Sequence, residues 1–408
     1  MPITVLGDPV LTGAANVMMS MSWRPRLKTL LYPRLSRFTK STRLVEPYPM
    51  YGSVPALRVY KGNLNMSSIP SFQISIPNLI EKNGIWLART EVEEDQTRTV
   101  LRFASDFGIR IVEAPDQLMF KRILNASSTS AVSVTIPGAQ PGYSGQYQYT
   151  LDGQPPFSTN HTDYYSGGQV SNIVTSQLPT TKAAFLALTP TQAVTAIQQD
   201  IQALIDAISS VKDTAGIQLY PNFDAGRSLV ILAPKFMEPA MCLAAKRPAN
   251  GDQSFVNMTS NVFPSFVADV LTSGYLSGMI DPESESNQYI TPLNQTDYYA
   301  FILDDYVQPF MSQVFAPPGA DDVFPRGYDV NAEIDKTLDA IGDRSPAAVA
   351  ASSFYASAII DMNLNKQGEN ADPEVALRER FYIVPRLRYN VGYGPWFTMW
   401  RMRPNGGN

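Results

Sequence analysis

The chain has 408 residues, 44% hydrophobic but only 17% charged, and a net charge of −5. A charged fraction below the roughly 25% of ordinary soluble proteins implies a small free surface or one that partners cover, while a single Cys and a single His exclude an intramolecular disulfide and a zinc site of the usual N/S kind. The apolar runs, such as SLVILA at 228–233, are far too short to span a bilayer, and MPITVLGDPVLTG lacks the features of a signal peptide, so a cytosolic product without a membrane partner is expected.

Charge is unevenly distributed along the chain. Up to position 45 there are seven basic residues, Arg24, Arg26, Lys28, Arg34, Arg37, Lys40 and Arg43, against one acidic, Asp8; this leaves 25 basic and 36 acidic residues beyond it. Trp23, Leu27, Leu30, Leu31, Leu35 and Phe38 are interleaved with the charges. That pattern predicts an arm that docks on something, either nucleic acid or the acidic body of a neighbouring copy, with a solvated tail as the plainer alternative.

Residues 56–92 have the pattern of an extended hairpin. SFQISI (71–76) alternates with Phe72, Ile74 and Ile76 on one face, and GIWLART (84–90), carrying Ile85 and Trp86, answers it after a turn containing Lys82 and closed by Asn83-Gly84. Two strands alone are marginal in water, so this hairpin needs another surface. Glu93, Glu94 and Asp95, followed by Gln96, suit a helix N-terminus. The apolar residues Val100, Phe103, Phe107 and Ile111 then recur at helical spacing, and Leu118, Met119 and Ile123 resume it beyond Pro115, which predicts a long helix kinked there or two abutting helices.

Ala126–Val174 is loop-like and contains YTLDGQPPFSTNHTD, with the only histidine, His161. An amphipathic helix follows from Pro190, capped by Thr189, with Val194, Ile197, Ile201, Leu204, Ile205, Ile208 and Val211 in one stripe. Strands are expected at 229–232, 266–271 and 298–303, with a short helix after Pro234 carrying Cys242 as a buried thiol. Helices are expected near 332–341 and 346–362, and two closing strands about a turn at Gly392–Pro395. No phosphate loop, dinucleotide fingerprint, nucleophile elbow or H-E-x-x-H occurs. No cofactor is therefore expected, and the chain reads as a non-enzyme; carboxylate pairs among 37 acidic residues carry no specificity.

Three segments resemble one family. ISIPNLIEKNGIWLARTEVEEDQ, through Arg89, Val92, Glu93, Glu94, Asp95 and Gln96, leads to a helix with the step Pro115, Asp116, Leu118. LDGQPPFSTNHTD carries Asp152, Gly153, Gln154 and His161, departing from the pattern at Leu151 and Thr162. LRYNVGYGPWFTMW carries Arg388, Asn390, Gly392, Tyr393, Gly394 and Trp396. In this order they are similar to the major head subunit family of Mu-like phages and prophages.

The resemblance implies an α+β capsid protein of the Hong Kong 97-type fold. Its parts would be a basic N-terminal arm (1–55), an extended loop (56–92), the spine helix of a peripheral domain (93–126), an axial domain (127–380) with an insertion near 317–375, and C-terminal strands (381–408). It implies the major capsid protein of a tailed double-stranded DNA bacteriophage or prophage, located in the virion after assembly in the host bacterial cytoplasm. The chain would form an icosahedral shell of hexamers and pentamers, touch packaged DNA without sequence preference, and have a separate scaffold and a portal as partners, with cement proteins an open point. Another virion component, a portal or tail protein, is the alternative. The arm residues Trp23, Arg24, Arg26, Lys28, Arg34, Arg37, Phe38, Lys40 and Arg43 and the loop residues Phe72, Ile74, Ile76, Lys82, Ile85 and Trp86 are then expected between subunits. The motif residues, His161 included, are expected to be structural.

Overall fold

A computed structural model describes residues 22–51, 71–82, 85–88, 99–136, 145–148, 150–163, 166–213, 216, 218–220, 227–245, 267–284, 286–304, 307–315, 330–367, 380–383 and 386–405. The basic segment folds onto the chain's own body. A 3-10 turn (Arg24–Lys28) and one helical turn, α1 (Tyr32–Leu35), lead into strand β1 (Ser36–Ser41). This winding gathers Trp23, Leu27, Leu30, Tyr32 and Leu35 on one side, all buried, and leaves Arg26, Lys28, Arg34 and Arg37 exposed. Burying side chains of this size stabilises by about 1.5–3 kcal/mol each, so the segment is part of the fold.

The predicted hairpin forms with a different partner. Strand β2 (Val45–Tyr51) pairs antiparallel with β3 (Ser71–Pro77), so SFQISI is answered by a strand upstream of it. Its expected partner is diverted at Asn78. The buried Asn78 side chain donates to Ser41 Oγ (2.8 Å) and the Arg43 carbonyl (2.7 Å) and accepts from Gln313 (3.0 Å), and its backbone N–H binds the Leu44 carbonyl (2.8 Å). Beyond this pin β4 (Leu79–Lys82) enters one sheet, and β5 (Ile85–Ala88) pairs with a C-terminal strand. The long helix α2 (Thr99–Asn125) runs unbroken through Pro115. Glu93, Glu94, Asp95 and Gln96 lie outside the described residues.

After a small ribbon, β6 (Ser133–Ile136) with β7 (Gly145–Gln148), the His161 loop closes through β8 (His161–Thr162) against β9 (Gln169–Val170) and continues into β10 (Ile173–Ser176). A short helix, α3 (Lys182–Leu186), precedes α4 (Pro190–Ser210). Thr189 caps α4 in a reciprocal box with Gln192, and the predicted stripe is buried. Strand β11 (Arg227–Pro234), helix α5 (Glu238–Ala245) with a half-buried Cys242, and strand β12 (Val267–Ser273) follow. Next come the small hairpin β13 (Met279–Ile280) with β14 (Tyr289–Ile290) and the strands β15 (Tyr298–Asp304) and β16 (Phe310–Phe315). Helices α6 (Val330–Ile341) and α7 (Pro346–Gln367) lead to β17 (Arg380–Ile383), β18 (Arg386–Tyr393) and β19 (Met399–Pro404).

Two main sheets organise these elements. The first has the order β1-β16-β18-β4, with β1 parallel to β16 and the other pairs antiparallel. The second has the order β10-β19-β15-β11-β12, parallel at both edges and antiparallel in the middle. The second sheet is a wall between two cores, which is why SLVILA is apolar on both faces. Leu229, Ile231 and Ala233 face α4 and α5; Val230 and Leu232 face the core that holds the arm, α2, α6 and α7.

Two features tie the sheets and the cores together. The closing strands β18 and β19 do not pair: a 3-10 turn at Trp396–Thr398 carries the chain from the first sheet to the second. Within 317–375, helix α7 is part of the first core. Its Phe354 is fully buried and packs on Tyr32, Phe38 and Tyr389 at 5.4–5.7 Å between ring centroids. With β16, α6 and α7 the region 127–380 thus contributes to both cores. Among the described residues no helix is long and apolar enough to cross a membrane.

Candidate functional site

The closing segment RYNVGYGPW gathers the other motif residues around it. Asn390, fully buried in β18, donates to the Pro77 carbonyl at 2.7 Å, at the base of the β2–β3 ribbon. The Tyr393 hydroxyl donates to the Arg122 carbonyl at 2.8 Å, near the C-terminus of α2. Arg122 returns to β18 through the Val391 carbonyl (3.3 Å) and Asn390 Oδ1 (3.4 Å). Both glycines here serve close approach. A Cβ on Gly392 would overlap Ile76 of the ribbon, and one on Gly394 would overlap the Gln308 carbonyl. Ribbon base, long helix and closing strand therefore meet as one junction.

A charged clasp continues it. Lys121 pairs with Asp281 (2.6 Å) and Glu283, and Arg122 with Glu283 (3.0 Å), joining α2 to the loop between β13 and β14. Burial alone would raise Glu283, but the two cations outweigh it and hold its carboxyl below the usual range.

His161 sits at the far end of the same segment. Its ring is fully buried and lies flat on Trp396, with centroids 4.6 Å apart and planes 7° from parallel. Nδ1 faces Asp152 Oδ2 at 2.7 Å, and Nε2 faces the Pro156 carbonyl at 3.3 Å. Both nitrogens are engaged by the loop itself, which leaves neither to act as a general base. Burial opposes ionisation of Asp152, yet the His161 hydrogen bond and charge prevail and lower its pKa. Asp152 Oδ1 also accepts from Gln154 N (3.1 Å) across Gly153, whose φ of 70° is in the left-handed region.

Asn172, which sequence patterns did not single out, holds this loop to the sheet. Its amide donates to the carbonyls of Pro156 (2.6 Å), Met399 (2.9 Å) and Trp396 (3.3 Å), while Oδ1 accepts from Ser158 N (2.9 Å). One asparagine in a polar loop has no periodicity to betray it. Asp116 was visible only as part of a motif step: it is buried and accepts the backbone N–H groups of Leu31 and Tyr32.

The residues expected between subunits divide. Trp23 and Phe38 pack on Tyr355 and Phe354 of α7, and Ile74 and Ile76 lie fully buried in the same core, so these four serve the chain's own fold. Their spacing marked a buried face and could not tell an internal one from an intersubunit one. Arg26 pairs with Glu113 at 3.6 Å and Arg34 with Asp269. Lys28, Arg37 and Arg43 face outward, and Lys40 is half-buried. Arg24 precedes them in the 3-10 turn, Phe72 lies in β3, Lys82 in β4, and Ile85 and Trp86 in β5.

Comparison with known proteins gives two sequence matches. Residues 19–135, which hold the arm, the ribbon and the long helix, match the family Mu-like prophage major head subunit gpT. The chain is 26% identical over 152 residues to the Mu-like prophage FluMu major head subunit of Haemophilus influenzae (strain ATCC 51907 / DSM 11121 / KW20 / Rd), covering 37% of this chain and 45% of that one. The chain thus matches less than half the length of that relative. Solved structures with partial likeness are the bacteriophage JBD30 capsid (16% identity, 60% of this chain and 90% of that one, TM-score 0.41) and the capsid of the cyanophage P-SCSP1u (11%, 91% and 86%, 0.44).

Proposed function

We propose that this chain is the major capsid protein of a tailed double-stranded DNA phage or prophage, of the Hong Kong 97-type fold, whose copies close into an icosahedral shell. The observation that carries the reading is the family match over residues 19–135, the stretch that contains the ribbon. The ribbon supports it physically. β2 and β3 pair only with each other among the described residues; Ile74 and Ile76 seat one face on the chain's own core, and a two-stranded ribbon gains further stability when another surface covers the rest. Its base is pinned by Asn78, Asn390 and the bond from Tyr48 Oη to Gln313 (2.7 Å), while the rest extends toward Tyr51 and Ser71.

In this reading the ribbon lies on a neighbouring copy, and many modest contacts per subunit sum to a stable shell. The arm contributes through its outward cations rather than its apolar face. Lys28, Arg37 and Arg43 meet the acidic body of a neighbour or, without sequence preference, the phosphates of packaged DNA. The chain works by assembly and not by catalysis. A scaffold, a portal and assembly in the host cytoplasm belong to the same proposal.

Deleting residues 1–45 is a poor test, because Trp23, Leu30, Tyr32 and Leu35 belong to the core. Triple charge reversal of Lys28, Arg37 and Arg43 to Glu leaves that core untouched. Negative-stain electron microscopy is expected to show closed shells for the wild type and none, or malformed ones, for the variant. A ring of fixed copy number from the wild type would favour a portal or tail component instead.

A further inference from the structure

The arm is seated on α2 through one carboxylate. Asp116 Oδ1 accepts from Tyr32 N at 2.6 Å and from Leu31 N at 3.1 Å, and Oδ2 accepts from Leu31 N at 3.0 Å, so a single side chain caps the start of α1. Asp116 follows Pro115 directly, inside the helix. It is 5% exposed, and among the described residues no cation pairs with it. The charged and titratable groups around it are few. Glu113 lies one turn back on α2 and is occupied by Arg26 of the 3-10 turn; Arg110 and Glu113 both face Tyr275 of the 3-10 turn Gly274–Ser277; Tyr32 is in α1. Helix α7 carries no charged residue between Pro346 and Ile360 and presents Tyr355 to Trp23.

The seam above Asp116 is also incompletely satisfied. Trp23 Nε1 and Tyr32 Oη of the arm, and Ser352 Oγ of α7, are buried without a hydrogen-bond partner, and an arm group left so opposes docking by about 1–3 kcal/mol. The seat is therefore apolar, well packed and electrostatically unbalanced.

We propose that Asp116 is a protonation-dependent latch for the arm: with a neutral carboxyl, residues 23–35 stay seated on α2 and α7, and with an ionised one the seat loosens. The neutral acid keeps Oδ1 as the acceptor for both amides while removing a buried charge that lacks a counterion. Burial is the main cause that pushes Asp116 up to about 7, with Glu113 adding to it against the two backbone hydrogen bonds. A carboxyl whose pKa is higher when docked binds more protons in that state, so docking weakens as pH rises through that value. This property belongs to the single chain and does not rest on the shell reading.

The test is hydrogen–deuterium exchange of the full-length wild type and of Asp116→Asn at pH 6 and pH 8.5, followed in a peptide covering residues 29–36. Asn keeps the acceptor and cannot ionise, and the intrinsic pH dependence of exchange cancels in the ratio of the two proteins. That ratio is expected to rise about tenfold from pH 6 to pH 8.5, with no change in a control peptide from β11. A flat ratio, or an equal rise in the control peptide, would overturn the proposal. If Asp116→Asn does not fold, the wild-type 29–36 peptide, corrected for intrinsic exchange, must itself lose protection relative to β11 over the same interval. Its failure to do so contradicts the latch equally.

Discussion

The two sides of the second sheet are built differently. On one side α4 is closed upon itself. A capping box starts it, its apolar stripe meets Leu229, Ile231 and Trp400, and its one buried acid, Asp200, receives the hydroxyls of Ser176 and Tyr298 and the Gln177 amide. On the other side the arm rests on α2 and α7 with three buried polar atoms unpartnered and an acid held by two amides and no cation. Both contain large apolar side chains in quantity. What separates them is how the buried acid is held, by two hydroxyls and an amide within one core on the α4 side and by backbone amides of the arm alone on the other, and a contact held in that way is one a protein can open without unfolding.

That contrast can be broken by mutation. Phe354→Ala empties the ring on which Tyr32, Phe38 and Tyr389 converge. It should cost about 3–5 kcal/mol in denaturant unfolding, with arm peptides losing exchange protection before those of α4. Simultaneous loss would mean that the two sides form one cooperative unit. Asn172→Ala should cost about 2–4 kcal/mol, because the Pro156 and Met399 carbonyls and the Ser158 amide lose their buried partner together. A loss under about 0.5 kcal/mol would show that another group takes over this role.

His161→Ala should cost about 2–3 kcal/mol, through lost stacking on Trp396 and a buried Asp152 left without its hydrogen-bond partner, yet still permit particle formation. Its pH signature has a definite sign. The folded pKa of Asp152 is lowered, so its contribution is present above the unfolded carboxylate range and is lost as pH falls through the folded value. The variant, lacking that contribution, should show a flatter stability profile at acid pH; matching profiles would contradict the pairing. Thr189→Ala, at the satisfied end of the comparison, should cost about 1 kcal/mol by thermal melting, with arm exchange unchanged.

Periodicity made most elements legible in the sequence: the α4 stripe with its Thr189-Pro190 start, the doubly buried β11, and the long helix around Pro115 were readable because local residues decide them. Pairing was not. Ile74 and Ile76 announce a strand with one buried face, but whether 45–51 or 85–88 answers them depends on Asn78, one side chain bonded to residues 35 to 235 positions away. The destination of Trp23 and Phe38 was likewise hidden, since an apolar face reads alike whether it meets its own α7 or a sister copy. Composition also gave no hint that β18 and β19 would separate into two sheets around a stacked His161–Trp396 pair.

The proposal that copies of this chain complete one another through the ribbon is tested most directly by a cryo-electron microscopy reconstruction of the purified full-length protein. The account predicts closed shells in which β2 and β3 lie across a neighbouring subunit while residues 22–41 remain on their own α7. A monodisperse single chain at high concentration, or closed shells in which the ribbon touches no neighbouring subunit, would contradict it.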